Sequence, residues 1–513
     1  MKILREDEVK SGNRSLAFPC ETRSREKARA EMTTMNDGKE KESTRRKFLK
    51  TAAIATAGTV AGAAGINAVS PDVLPEEMIF EPNPSYWARA LPAVNPALRK
   101  DVEVDVAIIG GGFTGLSAGY YLKKAFPKVQ VVLLEAKRCG NGASGRNGAM
   151  MLTATADRYM QGSGNASLDK RIYDLTVENI RSLKELSATL GIDAEIEQDG
   201  ALQVCNTREM AEEGRRYIEK ARAAGFPSEF WDKHRIGEAI GTNAYEGALF
   251  DPNSGQVHPG KLVGLFKVAA ESVGVEIFEQ SQIIHVVEGD PIKAVTKNGP
   301  TVRARSLVLA TNAYSSKLGY LRRAVTPVFD YVGITAPLSE SRISEIGWRK
   351  RIPFNDTRTE VFYLGLTKDN RVHIGGGPVD YVFNNGFQEP ANSEKRYATL
   401  RSELGRIFPE LAAEPFETKW SGSVDMSLDE TPAVGRMGKH ENLYYAIGFS
   451  GHGVNLTSVF GRVLADLIAG KSADWNWLPY LDRLPPYTPN EPLRWLGVNL
   501  ALGYYRLTDP SKP

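Results

Sequence analysis

Residues 104–115 read VDVAIIGGGFTG, and this stretch decides the fold. An apolar strand runs into three consecutive glycines, and a helical pattern over residues 116–124 follows without a break. In a strand–glycine–helix turn of this kind, Gly110 permits the tight turn and Gly112 lets the backbone approach a pyrophosphate. Gly115 allows the helix to pack closely on the strand, so that the helix N-terminus faces the diphosphate. The residues expected to contact a dinucleotide here are Gly110, Gly112, Phe113, Thr114 and Gly115.

A second strand and an acidic residue complete this pattern. Residues 129–134 form the next apolar segment, which ends in Glu135, about twenty residues past Gly115. A carboxylate at this position can accept hydrogen bonds from both hydroxyls of a ribose. Glycines alone are a weak signal, but glycines, helix, strand and terminal acid in this order predict a Rossmann-like dinucleotide-binding unit.

The composition is that of an ordinary soluble protein. Of the 513 residues, 42% are hydrophobic and 25% are charged, and the net charge is only +2. This balance favours no polyanionic partner, and nucleic-acid binding is not expected. The three cysteines and six histidines lack the spacing of a metal site, so no metal is predicted. The length exceeds one ordinary core and predicts two packed layers or two domains.

The N-terminal segment is typical of an export signal. Residues 43–50 read STRRKFLK, and a mildly apolar stretch rich in Ala, Gly and Thr follows over residues 51–68. Twin arginines before such a stretch resemble the signal that the twin-arginine export machinery reads on folded cargo. A membrane-spanning helix is disfavoured because the apolar run is short and rich in glycine. We therefore expect residues 1–70 to be a basic leader with a twin-arginine signal and the protein to be periplasmic.

Three separate turns, two of them glycine-rich, favour FAD over NAD as the dinucleotide. Residues 140–148 (GNGASGRNG) follow Glu135, residues 310–313 (ATNA) end a distant strand, and residues 448–453 (GFSGHG) join a strand to a helix. An NAD enzyme rarely needs three such returns to its cofactor, whereas the longer FAD can use them. The additional residues expected to bind the cofactor are Ser144, Gly145, Arg146, Asn147, Gly148, Ala310, Thr311, Asn312, Gly448, Gly451, Gly453, Val454 and Asn455.

Hydrophobic periodicity then predicts an α/β fold with two domains: a Rossmann-like FAD-binding domain, and a substrate domain with a mostly antiparallel sheet plus helices. Alternating strands over 360–366 and 371–374 indicate that second sheet. The expected division is a Pro-rich lead-in over 71–101, the FAD-binding domain over 102–160, 255–325 and 415–470, the substrate domain over 161–254 and 326–414, and a C-terminal tail and helix over 471–513.

These motifs resemble the FAD-dependent amine and amino-acid oxidoreductases, the family of the D-amino-acid, glycine and sarcosine oxidases. The resemblance covers residues 86–470, and the glycine turns at 142–148 and 450–454 are most similar to the gamma-glutamylputrescine oxidase branch. It implies that the 145–147 loop passes the isoalloxazine and that the last glycine turn faces the flavin pyrimidine. Sarcosine oxidases tether flavin to a cysteine, but residues 419–437 contain none. Non-covalent FAD is therefore expected.

The resemblance also implies an activity: oxidation of a C–N bond in a small amine or amino acid by hydride transfer to flavin N5, giving an imine that water hydrolyses. Oxygen or a quinone would then reoxidise the flavin. His452 and Tyr363 are candidates for the walls of the substrate pocket, and His258 for a polar contact, although packing is an equal alternative for Tyr363. Arg146 could bind a substrate carboxylate, but an arginine in a cofactor loop more often serves the cofactor.

Two other functions stay open. A flavin monooxygenase would need a second dinucleotide unit for NADPH, and residues 371–377 lack the helix and acid that such a unit requires. An exported protein could instead retain FAD only for structure. A further apolar helix over residues 493–507 could pack on the core, on a second subunit or on a membrane surface.

Overall fold

The computed structural model describes residues 84–154 and 163–508. The leader with Arg45 and Arg46 and the start of the lead-in lie outside these residues. Within them, the helices are α1 (Phe113–Ala125), α2 (Ala166–Leu190), α3 (Arg208–Ala223), α4 (Lys233–Ile240), α5 (Pro259–Ser272), α6 (Glu340–Ile346), α7 (Ser393–Ile407), α8 (Gly453–Ile468) and α9 (Leu493–Thr508).

The strands alternate with these helices in the first half of the chain and cluster in the second half. They are β1 (Val102–Ile109), β2 (Val131–Leu134), β3 (Met150–Met151), β4 (Ala201–Cys205), β5 (Glu229–Asp232), β6 (Gly247–Asp251), β7 (Gly255–Gln256), β8 (Glu276–Phe278), β9 (Ile283–Val287), β10 (Ile292–Thr296), β11 (Thr301–Leu309), β12 (Thr326–Thr335), β13 (Phe354–Asp356), β14 (Phe362–Leu366), β15 (Val372–Gly376), β16 (Phe416–Met426), β17 (Ala433–Met437) and β18 (Leu443–Ile447).

The first sheet is the dinucleotide-binding one. Its main order is β17-β18-β11-β1-β2-β8, and β1 pairs in parallel with both β2 and β11. β11 and β18 are also parallel, so four neighbouring strands end at one edge. β1 lies between β11 and β2, and its last four residues are therefore buried on both faces, as is typical of parallel strands covered by helices. α1, α5 and α8 contribute to the core that covers one face.

The second sheet has the order β16-β12-β15-β14-β13-β4-β6-β5. Its neighbouring strands are antiparallel except for β13 and β4. The expected mixed architecture, a Rossmann-like sheet plus a mostly antiparallel one, is confirmed. One expected boundary differs, because β16 falls in the range 415–470 but belongs to the second sheet. It pairs with β12 from Thr326↔Met426 to Thr335↔Phe416, a partner that local sequence does not reveal.

The two faces of the second sheet have different surroundings, as side-chain alternation along a strand dictates. On β12, Phe329 and Tyr331 lie in a core shared with α4, α6 and α7. Val332 instead packs with Trp87 and Ala149, next to the cofactor loop. We call the side that carries Val332 the inner face. Trp87 comes from the lead-in, where it lies in a short 3₁₀ turn and is 1% exposed.

α9 is only partly covered by the rest of the protein. Ala501 and Tyr505 are buried, whereas Leu496, Leu500 and Leu507 are exposed. The same region is anchored by the guanidinium of Arg494, which donates to the carbonyl of Arg322 over 2.6 Å. None of the helices in the described part of the chain has the length and apolarity needed to cross a membrane.

Candidate active site

The first glycine turn is shaped by close backbone contacts. Gly110 has φ +110°, which only glycine adopts readily, and a Cβ there would overlap the carbonyl of Ala310. A Cβ on Gly115 would overlap the carbonyl oxygen of Gly110, so α1 could not approach β1. Gly112 is the N-cap of α1 and, being glycine, has no side chain that could cap the helix. The start of α1 therefore presents main-chain N–H groups to a ligand.

Two neighbouring residues of this turn, Phe113 and Thr114, already contact other parts of the protein. The N–H of Phe113 donates to the hydroxyl of Ser144 over 2.9 Å, which joins the start of α1 to the second glycine turn. The Phe113 ring is buried in the core against Phe266. Thr114 is also buried. These residues can face a cofactor only through main-chain atoms or through the Ser144 and Thr114 hydroxyls.

Glu135 lies at the end of β2, and the backbone holds its carboxylate. The N–H of Gly111 donates to its Oε2 over 2.7 Å, and the N–H of Lys137 donates to its Oε1 over 2.9 Å. Burial raises the pKa of Glu135, and the two N–H donors oppose that rise. Because each carboxylate oxygen has a second lone pair, both can still accept a ribose hydroxyl.

The glycine turn at 110–115 and the two later turns at 310–313 and 448–453 meet at one edge of the first sheet. β1, β11 and β18 are consecutive parallel strands, and each ends where one of these three turns begins. The N–H of Ala310 donates to Ile109, and the N–H of Gly110 donates to Leu134, so the neighbouring turns are in direct contact. A long dinucleotide lying across this edge would meet all three turns.

Asp425, which the sequence reasoning missed, holds two of these returns together. Its Oδ2 accepts hydrogen bonds from the N–H groups of Gly448 at 2.6 Å and Phe449 at 3.3 Å. Its carboxylate also has a hydrogen bond with the Asn312 side chain. Burial raises its pKa to about 7. A single aspartate on β16 belongs to no local motif, so only the pairing of β16 places it here.

The last return leads into α8 at Gly453. Gly448 and Gly451 have positive φ angles of 76° and 88°, and His452 is the N-cap without a side-chain capping bond. The Asn455 side chain is used elsewhere, donating to the carbonyls of Leu152 and Thr176. Val454 is buried in the core. The start of α8 therefore offers main-chain N–H groups rather than the Val454 and Asn455 side chains.

Arg146 connects the glycine loop at 140–148 to the second sheet. Its Nε donates to the carbonyl of Asn141 over 2.8 Å, and its Nη1 donates to the carbonyl of Ser421 on β16 over 2.9 Å. Its own carbonyl accepts a bond from the Trp420 indole. With the residue only 5% exposed, these bonds favour a role in holding the cofactor loop over binding of a substrate carboxylate.

The end of this loop lies on the inner face of the second sheet. A Cβ on Gly148 would overlap the ring of Tyr363, and the Gly148 carbonyl lies 3.2 Å from Nε2 of His373. Burial lowers the pKa of His373 to about 4, so a neutral ring can donate to that carbonyl. Asn147 stabilises the turn, donating to Ser144 and accepting from Ala149. Gly145 is buried in the same short turn.

The three candidate catalytic side chains have different environments. The Tyr363 hydroxyl donates to Oδ2 of Asp330 over 2.7 Å, beside Gly148. His258 caps α5 through its Nδ1, which accepts from the N–H of Lys261, and burial lowers its pKa. This capping bond gives His258 a structural task. Nδ1 of His452 lies 3.3 Å from the Ser450 carbonyl, at the last return. Tyr363 and His452 thus lie beside two different cofactor turns.

These features fit FAD. The first glycine turn is held too tightly for side chains at Gly112 or Gly115, Glu135 offers two acceptors at the ribose position, and two helix N-termini lie at the same sheet edge. The described cysteines, Cys139 and Cys205, are both buried. No cluster of three metal-binding side chains occurs within residues 84–154 and 163–508.

Comparison with known proteins agrees with this geometry. Residues 105–467 match the family model described as FAD dependent oxidoreductase. A probable oxidoreductase, OrdL, from Haemophilus influenzae is 29% identical over 81% of this chain and 94% of its own length. The gamma-glutamylputrescine oxidoreductase of Escherichia coli is 28% identical over 83% of this chain and 98% of its own length.

Solved structures share the fold. The crystal structure of glycine oxidase from Geobacillus kaustophilus has a TM-score of 0.64 at 22% identity and covers 75% of this chain and 100% of its own. The family match spans well over half of the sequence. The chain therefore belongs to the family of FAD-dependent oxidoreductases, and its cofactor is FAD.

Proposed function

We propose that this enzyme oxidises a C–N bond of an amine or amino acid and uses non-covalently bound FAD. The observation that carries this proposal is the meeting of the turns at 110–115, 310–313 and 448–453 at one sheet edge, with the inner face of the second sheet against Gly148. FAD, when bound, supplies the redox chemistry, since its isoalloxazine ring accepts a hydride at N5. The imine product would be hydrolysed by water.

The residues of the chain would bind and orient rather than perform acid–base chemistry. Glu135 and the start of α1 would hold the adenosine and diphosphate, while Arg146 keeps the loop at 140–148 in place. The N–H groups from Gly453 to Asn455 would hold the pyrimidine edge. A helix N-terminus offers about half a positive charge there, which stabilises negative charge that develops during reduction.

Two relatives support the substrate class. Gamma-glutamylputrescine oxidoreductase and glycine oxidase carry names that refer to an amine and an amino acid. The aromatic part of the inner face, formed by Tyr363, Trp87 and the neutral ring of His373, also suits an amine. Aromatic surroundings favour an uncharged reacting nitrogen, since burial of a charge without a partner is costly.

The direct test is anaerobic mixing of the purified holoenzyme with a panel of amines and amino acids. We expect at least one compound to bleach the flavin absorbance near 450 nm, and NADPH to leave it unchanged. If every amine fails while dithionite still reduces the flavin, the proposed activity is wrong. Acid precipitation should release the yellow colour, and a pellet that stays yellow would contradict non-covalent binding.

We also propose that the protein is exported by the twin-arginine route. The support is the sequence STRRKFLK at residues 43–50 and the mildly apolar stretch after it. A folded cargo route suits a protein whose cofactor would be lost if the chain crossed unfolded. Fractionation should find the parent in the periplasm and the variant Arg45→Lys with Arg46→Lys retained in the cytoplasm. Equal export of both would overturn the proposal.

A further inference from the structure

Exposed apolar side chains are concentrated near the C-terminal end of the described chain. Among residues 84–154 and 163–508, twelve large hydrophobic side chains are exposed, and seven of them lie within residues 484–507. These seven are Leu484, Tyr487, Trp495, Leu496, Leu500, Tyr504 and Leu507. An eighth, Phe383, lies beside Asn384, whose N–H donates to Glu491 just before α9. Such a concentration marks an interaction surface, because single exposed apolar residues are normally scattered.

The helical spacing places the leucines of α9 on one side of the helix. Leu496, Leu500 and Leu507 follow each other by four and seven residues, which brings them onto the same side. Tyr504 lies one turn after Leu500 on that side, and the buried Tyr505 lies on the opposite one. We call the side with the three leucines the outer side of α9. It is apolar although it faces away from the core.

Acidic groups are scarce around this outer side, whereas basic groups are not. Glu491 is the only acidic residue within residues 484–508, and its side chain is 8% exposed and paired with Arg494. Burial and, after it, the charges of Arg322 and Arg494 lower the pKa of Lys317 to about 8. Positive charge therefore exceeds negative charge at the start of α9.

Aromatic side chains accompany an exposed arginine in the segment before α9. Arg323 is exposed, and its Nε donates to the carbonyl of Thr488 over 2.8 Å. Its guanidinium carbon lies 5.5 Å from the centre of the Tyr487 ring. Tyr487 and Trp495 are both exposed. Tyr, Trp and Arg around an apolar centre are typical of segments that lie between the headgroups and the acyl chains of a bilayer.

The same charges disfavour a second copy of the chain as the occupant of this surface. A twofold dimer places the same patch on both sides of its interface. Arg323 of one copy would then approach the basic groups of the other, and like charges across an interface are costly. A surface of anionic phospholipids offers the opposite charge.

From this placement we propose that the outer side of α9 and the segment 484–492 bind the surface of an anionic phospholipid bilayer. The leucines of the outer side enter the boundary between headgroups and acyl chains, and Arg323 contacts headgroup phosphates. The helix lies along the surface, since none of the described helices is long and apolar enough to cross a membrane. This binding does not depend on the proposed amine oxidation.

The test is flotation of the full-length holoenzyme with vesicles of phosphatidylcholine alone or mixed with phosphatidylglycerol. Leu496→Glu with Leu500→Glu changes the outer side, and Ile284→Glu with Val287→Glu is the matched control at exposed positions of β9. We expect the parent to bind the mixed vesicles and to release them as salt is raised. The α9 variant should lose tenfold or more in binding, and the control should behave like the parent.

Arg323→Gln tests the charge separately from the apolar contact. Its binding to the mixed vesicles should fall by about fivefold, the effect of one basic residue near an anionic surface. All variants should keep bound flavin and the parent melting temperature, because the changed side chains are exposed.

A fluorophore on α9 reports on this surface directly, whatever residues 1–70 do. In Leu500→Cys with Cys20→Ser, the label can react at position 500 only, because the other two cysteines are buried. An environment-sensitive label there should shift to shorter wavelength when the mixed vesicles are added. The same label in Ile284→Cys with Cys20→Ser should not shift.

Three results would overturn the proposal. One is equal vesicle binding by the parent and the variant Leu496→Glu with Leu500→Glu, and another is an unchanged spectrum of the label at position 500. The third is a parent that is dimeric without vesicles while that variant is monomeric, which would assign the surface to a second copy. Amine oxidation would stand in all three cases, because none of these measurements involves a substrate.

Discussion

The cofactor edge of the first sheet and the inner face of the second sheet are built in different ways. The first is formed mainly by main-chain atoms of short continuous turns, as at Gly110 and Gly115. At the second, single side chains meet from strands that are far apart in the chain, as with the hydrogen bond from Tyr363 on β14 to Asp330 on β12. A site formed by backbone atoms tolerates little added side-chain volume. A site formed by side chains can bind a different ligand after one substitution.

The largest effect should come from adding bulk to the cofactor edge. Gly115→Val places side-chain atoms on the carbonyl of Gly110, and the clash is with backbone, which cannot move away as a side chain can. We expect loss of bound FAD and about 3 kcal/mol or more of stability. Flavin absorbance per protein and thermal melting measure both.

The matched control for that change is Gly264→Ala. Gly264 lies within α5, and a Cβ there meets nothing within 4 Å. This variant should keep full FAD and gain slightly in stability, because alanine favours a helix. If Gly115→Val also kept full FAD and its parent melting temperature, the close approach of α1 to β1 would not be needed.

Asp425 connects the two regions, because it lies on β16 of the second sheet and accepts hydrogen bonds from the turn at 448–453. Its substitution therefore tests this connection. Its folded pKa is raised to about 7 from 3.8. A raised pKa means that stability is present at low pH and is lost as pH rises through the folded pKa, at about 1.4 kcal/mol per unit. Asp425→Asn cannot ionise, so its advantage over the parent should grow from pH 4 to pH 7.

Melting temperatures of both proteins across that pH range measure this difference. Asp482→Asn is a suitable control, since Asp482 is more exposed and makes an ion pair with Arg436. A constant offset between Asp425→Asn and the parent at every pH would show that the charge of Asp425 does not matter.

Glu135→Ala should weaken cofactor binding without unfolding the protein. It removes two acceptors for the ribose and leaves the N–H groups of Gly111 and Lys137 without their acceptor. The expected loss of FAD affinity is about 2–4 kcal/mol. Titration of apoprotein with FAD measures it, with the exposed Glu276→Ala on β8 as control. Equal affinity in the variant and the parent would contradict the ribose role.

The smallest effect is expected on the inner face. Tyr363→Phe keeps the ring between Gly148 and Gly375 and removes one hydrogen bond to Asp330. Stability should fall by about 1–2 kcal/mol, while FAD content stays at the parent level. Tyr487→Phe, at an exposed position, should change neither. Loss of FAD from Tyr363→Phe would show that this face also holds the cofactor and would weaken the contrast between the two regions.

The sequence by itself determined the dinucleotide half. The strand, the glycines at 110–115, Glu135 and the two later returns are local signals, since backbone turns need particular residues in particular order. Residues 448–453 were predicted to join a strand to a helix, and they connect β18 to α8. The roles of side chains stay predictions. His258 was proposed for a polar contact to the substrate, and the structure adds that its Nδ1 caps α5.

Only the tertiary structure decided the other half. It paired β16 with β12, which placed Asp425 at the last glycine return. It also aligned Gln203, Asn355 and Tyr363 in one row, though more than 150 residues separate the first from the others. Strand pairing between distant segments depends on burial of whole faces rather than on any local motif. A row of side chains across the three strands β4, β13 and β14 therefore leaves no pattern in the sequence.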